Sequence, residues 1–292
     1  MPPVEQNKRR RVIYYPGIKD DSGSSSTRVS PVASSSRQVS SNSNANNVTA
    51  TRSSPHRNSA AAAADVAVPE YGEIPALLLV EMQKDNCVDV CKAVEALSDL
   101  ISVDEDNEAR YKKNRADATR FGAIAIILVL MTKRWPKNEK LQISCSFFLA
   151  EFSFENTNDF TNTLVELGGI EAIVNALRAF PSPSCWMVQC NCCSALANLS
   201  QNWETSAAER FVNDLEGIAL VVNVMRSTCR DEANAFANAC ELFSNLAAKK
   251  AEFRTKLTAA GALGIMATAL EKHSDNPEVK KYAHQMMKNM SK

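Results

Sequence analysis

From about residue 71 onward, apolar residues return every three to four positions, the spacing of one face of an α-helix. One phrase of that kind occurs four times. It reads Gly122-Ala-Ile-Ala-Ile126-Ile127-Leu-Val-Leu130, then Gly169-Ile-Glu-Ala-Ile173-Val174-Asn-Ala-Leu177, then Gly217-Ile-Ala-Leu-Val221-Val222-Asn-Val-Met225, then Gly261-Ala-Leu-Gly-Ile265-Met266-Ala-Thr-Ala269. The glycines stand 47, 48 and 44 residues apart. A second phrase, built on a polar anchor, follows each copy at Glu151, Asn198, Asn245 and Asn289, and occurs once earlier at Asp99. A small residue stands six positions before each of the five anchors (Ala93, Cys145, Cys192, Ala239, Ala283), with apolar residues three and two positions before. Both phrases have helical spacing and share one period.

The punctuation between the phrases agrees. Trp135-Pro136-Lys-Asn138, Pro181-Ser-Pro183-Ser184 and Asp275-Asn-Pro277 separate the glycine phrase from the anchor phrase. Proline disfavours helix in the residue before it, while Ser, Asp and Asn cap the helix that follows. A shorter helix is predicted ahead of the glycines over Phe160–Leu167, Arg210–Glu216 and Arg254–Ala260, with glycine making the turn because it tolerates positive φ. Each unit is thus a short helix, a turn, a helix, a loop and a helix. Such a unit leaves apolar surface on two sides, which stacking buries. Residues 71–103 read as a degenerate first unit, Asp104–Lys113 as an enlarged linker, and Lys272 onward as a polar C-terminal cap. The fold class expected is all-α, an α-solenoid.

The strings Leu164-Val-Glu-Leu-Gly168-Gly169-Ile170-Glu-Ala-Ile173-Val174-Asn-Ala-Leu177 and Val188-Gln189-Cys-Asn-Cys192-Cys-Ser-Ala195-Leu196-Ala-Asn198-Leu199-Ser200 resemble armadillo repeats. The resemblance spans residues 71–292, most closely in the third and fourth units. It implies a right-handed superhelix of four to five three-helix repeats, with the third helices lining a concave groove that binds extended peptides, and with no enzymatic activity in the repeat itself. By position, the family's groove asparagine corresponds to Asn198, Asn245 and Asn289, whereas Asp99 and Glu151 depart from it. A carboxamide both donates and accepts, so it can pair with both groups of a peptide backbone. Importin-α-type grooves carry a tryptophan four residues before the asparagine; here those positions are Phe147, Ser194, Glu241 and Gln285. One turn earlier stand Ser144, Asn191, Asn238 and Tyr282. The groove expected is polar and lightly acidic, suited to a neutral or basic protein or peptide partner rather than an acidic one.

Composition refines this picture. In residues 1–70 large apolar residues are sparse, and a serine-rich tract (Ser22–Ser54) and an alanine run (Ala60–Ala64) take their place. Such a stretch buries too little to offset its ordering entropy and is expected to be a disordered tail ahead of a domain over 71–292. The 292-residue chain has no net charge, but residues 1–70 hold nine Lys/Arg against five Asp/Glu, leaving 24 against 28 beyond. That mildly acidic body argues against nucleic-acid binding. The longest apolar run, Ala123–Met131, falls far short of the ~20 residues that span a bilayer. Nine cysteines without a paired framework fit a reducing, intracellular setting, cytoplasmic with the nucleus as a second location.

Candidate chemistry adds little. Cys185, Cys190, Cys192 and Cys193 lack a neighbouring histidine and paired knuckles, so they read as packing residues, with no metal and no cofactor expected. His56, His273 and His284 recur beside no nucleophile, and no catalytic residue is assigned. Trp135, Trp186 and Trp203 read as packing anchors near the repeat loops. Lys8–Arg11 is a basic run in the tail, and Ser30-Pro31 and Ser54-Pro55 are candidate phosphorylation sites there. The reading is a non-enzymatic interaction scaffold. The alternative is a chaperone- or assembly-type factor covering a partner domain through an apolar surface.

Overall fold

The computed structural model describes residues 82–102, 107–154, 158–227 and 232–292. The expected tail (1–70), with Lys8–Arg11 and its serines, and the start of the first unit (71–81) lie outside them. Thirteen helices account for most of the described residues, and no strand occurs among them. None of these helices is long and apolar enough to cross a membrane.

Helix α1 (Cys87–Ile101) is the third helix of the first unit. The second unit comprises α2 (Glu108–Arg120), α3 (Ala123–Val129, prolonged by a π turn over Leu130–Arg134) and α4 (Glu139–Ser153). Next come α5 (Asn158–Glu166), α6 (Gly169–Ala179) and α7 (Trp186–Ser200). The fourth unit is α8 (Thr205–Glu209, with a π turn over Arg210–Asp214), α9 (Gly217–Ser227) and α10 (Ala233–Lys249). The last is α11 (Ala251–Ala260), α12 (Ala262–Lys272) and α13 (Pro277–Met290). The charged segment expected as a linker is mostly helix: from Glu108 it forms α2, which Asn107 caps by accepting the Arg110 N–H at 3.2 Å. Its weak apolar pattern hid it, because α2 buries polar side chains, Asn114 and Arg115, as well as Tyr111 and Ala118.

Other starts follow the expected chemistry. Asn138 caps α4 through the Leu141 N–H at 3.0 Å, and Asn276 caps α13 through the Glu278 and Val279 N–H groups at 3.0 Å, with Pro277 in the first turn. The helices ahead of the glycines begin earlier than the apolar pattern indicated, at Asn158, Thr205 and Ala251.

Two of the four phrase glycines are not the turn. The left-handed residues are Gly122 (φ 76°), Gly168 (φ 83°), Glu216 (φ 49°) and Gly261 (φ 84°), so Gly169 and Gly217 are the first residues of their helices. They are glycine because of space. A Cβ on Gly169 would lie 2.6 Å from Leu164 Cγ, and one on Gly217 would lie 2.2 Å from Phe211 Cε2. At both sites a side chain from the preceding segment lies directly against the glycine backbone.

Stacking produces the core. The third helices α1, α4, α7, α10 and α13 pack each against the next, and the second helices follow in parallel, α3 to α6 to α9 to α12. Phe148, Phe152, Phe211, Phe236, Phe243 and Phe253 are fully enclosed. All five small residues six before the anchors, Cys145 and Cys192 included, are buried, which lets neighbouring third helices approach. Burial pushes the Cys145 and Cys192 thiols up and Cys240 to about 12. Trp203 is buried against Phe211, ring centroids 5.2 Å apart, and Trp135 and Trp186 pack partly buried on the core.

Polar side chains close the ends of helices. Gln142 donates from Nε2 to the Met131 and Trp135 carbonyls at 2.9 and 3.3 Å; Gln189, 47 residues on, does the same to Phe180 and Ser182 at 2.6 and 3.2 Å. Arg115, 3% exposed, joins two units. Its guanidinium donates to Ile101 O at the end of α1 and to Glu151 O and Phe154 O at the end of α4, at 2.8, 2.8 and 2.5 Å. These carbonyls lie at helix C-termini, where the i→i+4 ladder runs out; Glu151 O also accepts the Phe154 N–H at 3.2 Å.

Candidate functional site

The five third helices present one layer of side chains in which repeat spacing in sequence becomes adjacency in space. On α7 and α10 the open edge advances by turns: Met187, Asn191, Ser194, Asn198 and Gln201 on the first, Asn234, Asn238, Glu241, Asn245 and Ala248 on the second. Every pair of equivalents is 47 residues apart. The same register gives Lys140, Ser144, Phe147, Glu151 and Phe154 on α4, Glu278, Tyr282, Gln285 and Asn289 on α13, and Lys92, Glu95 and Asp99 on α1.

The candidate residues differ in how open they are. Ser194, Asn238 and Asn245 are partly exposed and Gln285 is exposed. Asn191, Asn198, Asn289, Phe147, Glu151, Glu241 and Tyr282 are buried, Asn198 with 8% of its surface left. The cause is that the asparagines bridge the repeats. Asn198 Nδ2 donates to Ala150 O on α4 at 3.2 Å and to Ser153 Oγ at 3.5 Å. Asn245 Nδ2 donates to Ser200 Oγ on α7 at 2.8 Å, and Asn289 Nδ2 to Ser244 O and Oγ on α10 at 3.0 and 3.1 Å. Asn191 Nδ2 reaches Ile143 O on α4 at 3.4 Å. Each amide nitrogen therefore ties its helix to the one before. The Oδ1 atoms of Asn191, Asn198 and Asn245 accept no hydrogen bond among the described residues; Asn289 Oδ1 accepts from Gln285 at 3.4 Å.

The serines that receive these amides (Ser153, Ser200, Ser244) escaped the sequence reading. Ser153 and Ser200 stand two residues behind their anchors and Ser244 one residue ahead of its own, so only the first two shared a spacing that could have signalled them. Two further cross-repeat bonds escaped it as well. Ser144 Oγ donates to Glu95 Oε1 at 3.0 Å, and Gln201 Nε2 donates to Glu241 Oε1 at 2.8 Å. Glu95 thus adds a carboxylate to the α1 end, where Asp99 stands one turn on. Asp99 itself is exposed. Desolvation first, and then the Glu95 charge, raise its carboxyl pKa above the ordinary aspartate value.

The layer divides in two. Its α1–α4 half carries Lys92, Glu95, Asp99, Lys140, Phe147 and Glu151; its α7–α13 half is dominated by carboxamides. The large apolar residues exposed among the described positions, Val88, Phe121, Val129, Leu167, Leu263 and Met287, belong to α1, the hinge turns, α3, α12 and α13. Of the five rows, only the outermost holds any of them, Val88.

No protein-family model matches the chain, and no curated protein matches it in sequence. Among solved structures it is similar to a designed armadillo repeat protein in complex with the peptide (KR)4, with a TM-score of 0.57 and 18% identity over 73% of this chain and 80% of that one. It is similar also to a computationally designed armadillo repeat protein for modular peptide recognition, with a TM-score of 0.59, 18% identity and the same coverage. With the all-helical units, the stacked third helices and the shared register, this establishes that the chain has an armadillo-type α-solenoid fold.

Proposed function

We propose that this protein is a non-enzymatic interaction module that holds an extended peptide segment across its third-helix layer. The observation that carries the reading is the line of asparagine Oδ1 atoms on α7 and α10, held in place by their own amide nitrogens and left without an internal donor. An oxygen fixed in this way accepts a backbone N–H at little further entropy cost, at ~0.5–1.5 kcal/mol each, so affinity comes from several in register. Side chains of the ligand then select. Glu95 and Asp99 favour a neutral or basic segment and disfavour an acidic one. Both designed relatives are peptide-recognition proteins by description, one of them holding alternating Lys and Arg, which supports the same reading.

The test uses the full chain and three labelled octapeptides: (Lys-Arg)4, a neutral Ser/Asn sequence and (Asp-Glu)4, followed by fluorescence anisotropy at low and high salt. Binding of the basic or neutral peptide, but not the acidic one, is expected. It should fall at least tenfold in Ser194→Arg/Asn238→Arg, two partly exposed positions with no structural hydrogen bond among the described residues. Equal binding by parent and variant, or preference for the acidic peptide, overturns the proposal.

A further inference from the structure

The repeat register shows where the solenoid would continue. In α4, α7 and α10 six equivalent positions are buried in every helix: Gln142, Gln189 and Phe236; Ile143, Cys190 and Ala237; Ser146, Cys193 and Cys240; Leu149, Leu196 and Phe243; Ala150, Ala197 and Ser244; Ser153, Ser200 and Ala247. In α13 the same positions hold Lys280, Lys281, His284, Met287, Lys288 and Ser291, and all six are exposed. The second helices behave differently. Ile170, Val174 and Leu177 of α6 and Ile218, Val222 and Met225 of α9 are buried. Counted from the left-handed residue ahead of each helix (Gly168, Glu216, Gly261), which shifts the glycine phrase of α12 by one position, their counterparts are Leu263, Ala267 and Leu270, the first two exposed and the third half-buried, yet all three remain apolar. A face turned only to water would be polar throughout. This one is polar on α13 and apolar on α12, with Leu263 at 37% and Met287 at 39% exposure.

We propose that this C-terminal face of the solenoid docks an acidic amphipathic helix of a partner protein, seated where a further repeat would stack. The apolar strip Leu263, Ala267 and Leu270, with Met287 beside it, receives the partner's apolar face, as the equivalent residues receive a neighbouring helix in the internal repeats. Lys280, Lys281 and Lys288 select the partner's charge. None of the three forms an ion pair among the described residues; Lys281 Nζ lies 5.0 Å from the Tyr282 ring centroid, a contact that leaves the ammonium without a counter-charge, so carboxylates flanking the apolar stripe can pair with all three. A second copy meeting this face with its own would set lysines against lysines. A nucleic acid would leave Leu263 and Met287 uncovered. This surface lies on other helix faces than the third-helix groove and stands or falls independently of it.

The test titrates the full chain with a synthetic helical peptide carrying leucines at three- and four-residue spacing, flanked by glutamates, and with its twin in which lysine replaces glutamate. Saturable binding of the acidic peptide alone is expected. It should weaken at least tenfold in Leu263→Lys/Met287→Lys, while Lys280→Glu/Lys281→Glu/Lys288→Glu should reverse the preference toward the lysine twin. Leu263, Lys280, Lys281, Met287 and Lys288 are all exposed, and circular dichroism with a thermal melt confirms that each variant folds. The acidic peptide must bind Ser194→Arg/Asn238→Arg as it binds the parent; loss there would move the site to the groove and overturn the proposal. It is overturned equally by no saturable binding, by equal affinity for both peptides, by capture on anionic phospholipid vesicles that competes with the peptide, or by a dimer in sedimentation that Met287→Lys dissolves.

Discussion

At the scale of single residues, backbone geometry and space decide what each position tolerates. Glu216 occupies a left-handed conformation that its three counterparts fill with glycine, at a cost of about 1–2 kcal/mol for a residue with a Cβ. Glu216→Gly should therefore stabilise the protein by about 0.5–1 kcal/mol after the greater unfolded-state entropy of glycine is subtracted, read as a higher midpoint in urea. Its neighbour behaves oppositely. Gly217→Ala drives a methyl group into the Phe211 ring and should lose about 1–3 kcal/mol in the same melt. Asp99 carries a pH signature. Its carboxyl pKa is raised on folding, so between the ordinary value and the native one the folded chain holds more proton than the unfolded chain, and its contribution to stability falls as pH rises through that window. Asp99→Asn should raise the melting temperature at neutral pH and leave it unchanged at about pH 3, where both states are protonated. A melt shifted equally at both pH values would show that the effect is not electrostatic. The glycine phrases were legible in sequence, but which glycine turns the chain and which lets helices touch was not. Both needs select the same residue, and only φ and the neighbouring atoms distinguish them.

At the scale of elements, each third helix is secured by a buried face and by donors at its ends. Leu196 and Phe243 hold equivalent positions on α7 and α10 and are wholly buried. Leu196→Ala or Phe243→Ala should each cost about 2–5 kcal/mol, and an unmoved thermal midpoint would contradict the packing described. Arg115 satisfies the ends of α1 and α4 together. Arg115→Met should cost about 2–4 kcal/mol because three carbonyls lose a charged donor. Arg115→Lys should fail to rescue it, since one ammonium group cannot supply the planar spread of donors that spans two helix ends. Periodicity located α3, α6, α7, α9 and α10 because their apolar faces are strong. It missed α2, whose function in the fold is carried by Asn114 and Arg115. A polar side chain that closes a neighbouring helix leaves no mark on a hydrophobic pattern.

At the scale of the whole molecule, stability is shared between neighbours and tapers at the ends. Each internal unit has two interfaces, whereas α13 has the outward face just described. Native-state hydrogen exchange should therefore show α13 amides opening at lower free energy than those of α7, with α4 and α10 close to α7. Uniform protection along the solenoid would mean a single cooperative block. The groove asparagines belong to this scale too. Their positions were readable from the anchor spacing, but their burial was not. Asn198, Asn245 and Asn289 donate to residues 45 to 48 positions earlier, and such partners exist only once the helices are stacked.

The amino-acid sequence alone determined the helical class, the repeat period, the boundaries set by proline and asparagine caps, and the residues that face the core. All of these are local, arising from side chains within one or two turns of each other and from the need of a small unit to bury two apolar sides. Only the tertiary structure decided which asparagine atoms remain for a ligand, which glycine is a hinge, and which end face keeps an apolar half. Those depend on atoms brought together from different repeats, at distances in sequence over which no pattern of residue types specifies contact.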